Sequence, residues 1–121
     1  MIALYLGAGL TILWGIAHLF PTRNVVAGFG EISVDNKHII TMEWLVEGVA
    51  LIFTGLLVAV VTYIDPANLV SQAVYTLVAI FLFGLAIISL LTGFKVAMVP
   101  FKLCPVIFGL SAVLIILGAF L

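Results

Sequence analysis

Four runs of roughly twenty apolar residues, each bounded by proline or a short polar turn, constrain this chain more than any other feature. The first covers residues 2–20 and halts at Pro21, which cannot continue a helix. The second covers residues 39–63, with Asp35 upstream as the expected helix N-cap. The third covers residues 67–93, where Asp65 is expected to cap and Pro66 to take the first helical position. The fourth covers residues 103–121 and follows Pro100 and Pro105. Hydrocarbon about 30 Å thick is crossed by roughly 20 helical residues, so each run is long enough to span it.

Composition supports the same reading. The chain is 66% hydrophobic and 7% charged, with a mean hydropathy of +1.49. A water-soluble domain of 121 residues has too little interior to hide that much apolar surface. The expected fold is therefore all-α: a transmembrane four-helix antiparallel bundle, a single integral membrane domain over residues 1–121 with the lipid bilayer around it. The N-terminus lacks the basic segment of a signal peptide, so it is expected to be a retained first helix. A net charge of −1 argues against a nucleic-acid partner. Cys104 is the single cysteine, which excludes an intramolecular disulfide and a cysteine-rich metal site.

Loop charge supplies a direction. Arg23 and Lys37 lie between the first two spans, Lys95 and Lys102 between the last two, and the middle connection has no basic residue. The positive-inside rule then places the protein in the cell membrane with both termini outside. Tyr5, Tyr63 and Tyr75 fall toward the outer face, where an aromatic belt is expected.

Almost every ionisable side chain belongs to the basic end; Asp65 is the exception. Three of them, His18, Glu43 and Glu47, fall inside apolar spans. Counting from Ile39 at about 1.5 Å per residue, Glu43 lies roughly 6 Å and Glu47 roughly 12 Å into hydrocarbon. An unpaired carboxylate there is costly, so pairing, neutralisation or access to a cavity is expected of Glu47. Glu43, Glu47, Ala50 and Thr54 share one helical stripe, as do Ala3, Gly7, Thr11, Gly15 and His18 on the first span. Small residues let membrane helices approach closely, so the two stripes are expected to face each other. His18 would then lie near Glu43 or Glu47, with Arg23 as a further cation and Trp14 and Trp44 as aromatic walls. Glu43 is equally suited to an ion pair with Lys37, Arg23 or Lys102.

Other chemistries find less support. Bundle di-metal sites use Glu-x-x-His pairs on two helices, and this sequence has none, so no metal site is expected. His38 follows a charged loop and is expected to be solvated, which argues against a bis-histidine haem with His18. Gly28 and Gly30 do not form a dinucleotide fingerprint, since no strand precedes them and no third glycine follows. The cofactor is left open.

At "GIAHLFPTRNVVAGF" followed by "MEWLVEG", the chain resembles small four-helix membrane proteins of the DoxX-like kind. That resemblance implies a four-helix membrane architecture and, for the family, a quinone-linked oxidoreductase role. Such chains typically carry an arginine early in the first helix, whereas here no charged side chain precedes His18. Only the architecture carries over.

Three functional readings follow. In the leading one, a polar cavity at the cytoplasmic side, lined by His18, Glu43, Glu47, Trp14, Trp44 and Arg23, binds a small or lipophilic ligand. In the second, Glu47, Glu43 and His18 act as an acid–base set in a membrane enzyme or oxidoreductase subunit. In the third, the chain is a structural or assembly subunit and the cluster locks its helices. A homodimer through small-residue faces is a further expectation.

Overall fold

The computed structural model describes all 121 residues. Helix α1 spans Ile2–Leu19, a short α2 spans Thr22–Ala27, α3 spans Val34–Ile64, α4 spans Leu69–Leu91 and α5 spans Val99–Phe120. One 3-10 turn, Gly93–Lys95, precedes α5, and there is no strand. The four long helices, α4 counted with the turn that follows it, are long and apolar enough to cross a membrane. At about 1.5 Å per residue the 31 residues of α3 extend about 46 Å, more than a hydrocarbon layer requires.

Helix starts differ from expectation in ways that capping chemistry explains. The Ser33 hydroxyl accepts the Asn36 N–H at 3.1 Å, so Ser33 caps α3. Asp35, expected as the cap, sits in the first turn instead, where the helix dipole favours negative charge. At the next connection, Asp65 Oδ1 accepts the Ala67 N–H at 3.0 Å and closes a turn around Pro66. Asn68 then caps α4 by accepting the Val70 N–H at 2.8 Å, which moves the helix start past Pro66. Pro100 lies in the first turn of α5 and Pro105 lies inside the helix. Pro105 has no N–H to give the Phe101 carbonyl.

Helix α1 packs on both α3 and α5, α4 packs on α5, and α3 meets α4 more lightly. Glycine sets the closest approaches. A Cβ added to Gly15 would lie 2.8 Å from the Gly48 carbonyl, and one added to Gly55 2.6 Å from the Ala8 carbonyl. Gly7 abuts Ser111, and Gly118 abuts Leu4. The small-residue stripe of α1 is thus shared, Gly7 against α5 and Gly15 against α3.

On α3 the inward stripe is Gly48, Leu51, Gly55, Val58 and Thr62, all buried, continuing to half-buried Trp44. The expected stripe lies one residue around the helix: Thr54 is buried, but Glu43, Glu47 and Ala50 are exposed. The reason is steric. Backbones come closest where there is no side chain, so the glycines take the interface and the carboxylates are turned to its flank.

Tyr75 also departs from expectation. It is fully buried in the core, with Leu4, Leu51, Leu82 and Ile115, while Tyr5 and Tyr63 are exposed. Thr62 Oγ1 lies 2.8 Å from the Tyr75 hydroxyl and 2.6 Å from the Val58 carbonyl. The threonine proton goes to the carbonyl, so the tyrosine donates to Thr62, and the phenol is satisfied without reaching an interface. Ser71 adds a second tie here, donating to the Asp65 carbonyl at 2.6 Å. Hydroxyls of Thr11, Thr54 and Thr62 each bond the carbonyl four residues back, which satisfies them within their own helix. Ser111 Oγ is the one buried side-chain polar atom without a partner.

Outside this narrow core the surface is apolar. Only 21 of 121 residues are buried, and Leu13, Phe53, Leu77 and Val106 represent the exposed apolar faces of the four long helices.

Candidate functional site

The C-terminal ends of α1 and α4 and the N-terminal parts of α3 and α5 surround a pocket of about 520 Å³. At the opposite end α3 and α4 are held together through Thr62 and Tyr75, and α1 and α5 through Leu4 and Gly118. Trp14, Ala17 and His18 of α1 and Trp44 and Glu47 of α3 form one wall. Leu85, Ile88 and Ser89 of α4, with Phe101, Cys104 and Phe108 of α5, form the other.

His18 owes its place to Pro21. The helix ends at Leu19, so the last carbonyls of α1 lose their helical donors. The Trp44 indole N–H takes up the His18 carbonyl at 2.8 Å, and the Thr22 hydroxyl takes up that of Leu19 at 2.6 Å. In return, His18 Nε2 lies 3.0 Å from the Trp44 carbonyl. A carbonyl only accepts, so this contact places a proton on Nε2. The two rings are stacked, with centroids 3.8 Å apart and planes 17° from parallel. Trp44 also meets Phe101 of α5, with centroids 5.8 Å apart.

Glu47 Oε2 stands 3.4 Å from His18 Nε2, where the imidazole side chain is 9% exposed and the carboxylate side chain 46% exposed. That distance is long for a charge-assisted hydrogen bond, and half of the Glu47 side chain keeps access to its surroundings. It is the one carboxylate with a basic group within ion-pairing distance.

The structure therefore brings Trp14, His18, Trp44 and Glu47 to one pocket. Glu43 stands apart, exposed beside a second hollow of about 340 Å³ that also touches Phe29, Ile40, Trp44 and Glu47. It pairs with none of Lys37, Arg23 or Lys102. Arg23 is exposed on α2 and borders neither hollow. Lys102 donates to the Phe94 carbonyl at 2.7 Å and lies over the Phe94 ring. The segment after the first span, expected as a loop, contributes Val25 of α2 to the pocket wall. No three of the His, Cys, Asp and Glu side chains converge as a metal ion would require.

Sequence reasoning missed the α4–α5 wall. Its signal was present in spacing: Leu85, Ser89 and Thr92 share one face of α4, and Phe101, Cys104 and Phe108 share one face of α5. Among such apolar neighbours neither Ser89 nor Cys104 stands out by type. Comparison with family models, with characterised proteins and with solved structures finds no match for this chain.

Proposed function

We propose that the chain is a multi-pass protein of the cell membrane, with both termini outside, whose pocket at the inner end holds a small lipophilic ligand. The observation that carries this reading is the pocket itself: about 520 Å³, lined mainly by apolar and aromatic side chains, with the few polar groups of His18, Glu47, Ser89 and Thr92 on its wall. Pockets of roughly 300–1,000 Å³ with that mixture are the usual form of small-molecule sites. Membrane residence is supported by the apolar outer surface, which water would not tolerate at this extent. Orientation is supported by the four basic residues, all at the pocket end: Arg23 and Lys95 between long helices, Lys37 and Lys102 in the first turns of α3 and α5.

The Trp44 carbonyl holds the Nε2 proton of His18 and so fixes the orientation of the ring in the pocket wall. Roughly 20 residues counted back from Ile64 reach Leu45, which leaves Glu43 at the interface and Glu47 just inside it.

Cys104, the sole thiol, lies in the pocket wall and so reports occupancy. In bilayers, N-phenylmaleimide should label it more slowly as 1-adamantanol is added, with saturation. A labelling rate unchanged by 1-adamantanol would contradict the reading. Orientation is tested separately in a Cys104→Ser background: Asn68→Cys should react with an impermeant maleimide outside intact cells, and Lys95→Cys should not.

A further inference from the structure

Four of the hydrogen-bond donors around the pocket are already spent within the chain. The Trp44 indole N–H bonds the His18 carbonyl, and the Ser89 hydroxyl bonds that of Ala86 at 3.1 Å. The Thr92 hydroxyl bonds the Ile88 carbonyl at 2.7 Å, and the Cys104 thiol faces that of Pro100 at 3.4 Å.

Apart from the Trp14 indole N–H, what remains accepts. In its neutral form, with the proton on Nε2, the His18 ring keeps a lone pair on Nδ1 that bonds nothing in the chain. The Glu47 carboxylate has no Lys or Arg partner. The Phe101 carbonyl receives no bond from Pro105. No Lys or Arg lines the pocket, so Glu47 is its only fixed charge.

We propose, on the basis of the pocket reading above, that the ligand is a lipophilic amine bound as its ammonium ion. Its N–H groups meet Glu47 and His18 Nδ1, and its hydrocarbon lies against Trp14, Trp44, Phe101 and Phe108. A carboxylate or phosphate headgroup would face Glu47 with no compensating cation, and a carbonyl headgroup brings no positive charge to balance it. An alcohol supplies one donor but leaves the carboxylate uncompensated in a site of low dielectric. A cation gains twice, from the carboxylate and from the faces of the indole rings.

Three probes with the same cage and different heads separate these cases: 1-aminoadamantane, 1-adamantanol and adamantane-1-carboxylate. The protein is placed in nanodiscs of uncharged phosphatidylcholine, and the Trp14 and Trp44 indole N–H resonances are followed by NMR. The amine should shift both resonances saturably, with a Kd at least tenfold below that of the alcohol, and the carboxylate should not bind. Glu47→Gln should bring the amine to the level of the alcohol while its ligand-free indole spectrum keeps the wild-type fold. Equal binding of amine and alcohol, tighter binding of the carboxylate, or a preference for amine that survives Glu47→Gln would overturn the cation assignment and leave the pocket reading standing. No saturable shift with any probe would overturn both.

Discussion

His18 and Trp44 clasp each other: each side chain bonds the other residue's backbone carbonyl, at 3.0 Å and 2.8 Å, and their rings stack at 3.8 Å. The pair joins the frayed end of α1 to the first turns of α3 and fixes the wall on which the pocket is built. A proline three residues on makes this possible by ending α1 and freeing the carbonyl that Trp44 takes.

Removing the imidazole should therefore loosen that end. His18→Ala loses a stack and a hydrogen bond, each worth about 0.5–1.5 kcal/mol, for a total of about 1–3 kcal/mol. His18→Phe restores the stack alone and should recover part of the loss. Equilibrium unfolding in mixed detergent micelles measures the series; equal stability of His18→Ala and wild type would show the clasp to be energetically idle.

Glycine placement predicts a contrast between two substitutions of the same kind. Gly55→Ala puts a Cβ 2.6 Å from the Ala8 carbonyl, a backbone atom that yields only if α1 and α3 separate. It should cost about 1–3 kcal/mol. Gly9→Ala meets nothing within 4 Å and should be neutral or stabilising, as alanine favours helix. The thermal midpoints of the two variants in micelles check the contrast.

At the other end of the bundle, the direction of one hydrogen bond makes two mutations unequal. Tyr75→Phe removes a donor, while Thr62 keeps its bond to the Val58 carbonyl, so the cost should be about 0.5–1.5 kcal/mol. Thr62→Val leaves the buried Tyr75 hydroxyl with no acceptor and should cost more, about 1–3 kcal/mol. Reversed ranking in equilibrium unfolding would reverse the assignment of donor and acceptor.

The spans were legible in the sequence because lipid imposes a length on any helix that crosses it, and proline and polar turns mark where each run stops. The inward faces were less so. In helices this apolar, hydrophobicity carries little phase, and on α3 two stripes competed, one of carboxylates and one of glycines. The glycines took the interface because close backbone approach is available only to them, which turned Glu43 outward and left Glu47 at the flank. At the start of α4, Asp65 and Asn68 are both able to cap, and only the turn around Pro66 decides between them. Tyr75 has the sequence pattern of an interfacial anchor, and its partner, Thr62, comes from a different helix. The same holds for the pocket: Trp14, His18, Trp44 and Glu47 were visible as unusual residues, but Ser89, Phe101 and Cys104 become part of the site only once α4 and α5 are placed.

The proposed function requires that the pocket between α1, α3, α4 and α5 take up a lipophilic molecule. The chain has two tryptophans, Trp14 and Trp44, and both line that pocket, so heavy-atom quenching of their fluorescence by 1-bromoadamantane reads its occupancy directly. In phosphatidylcholine bilayers the wild type should quench along a saturable curve. Ala17→Phe, which fills the pocket from an exposed position on α1, should leave only a shallow linear dependence on quencher. Linear quenching of the wild type, indistinguishable from that of Ala17→Phe, would contradict the account.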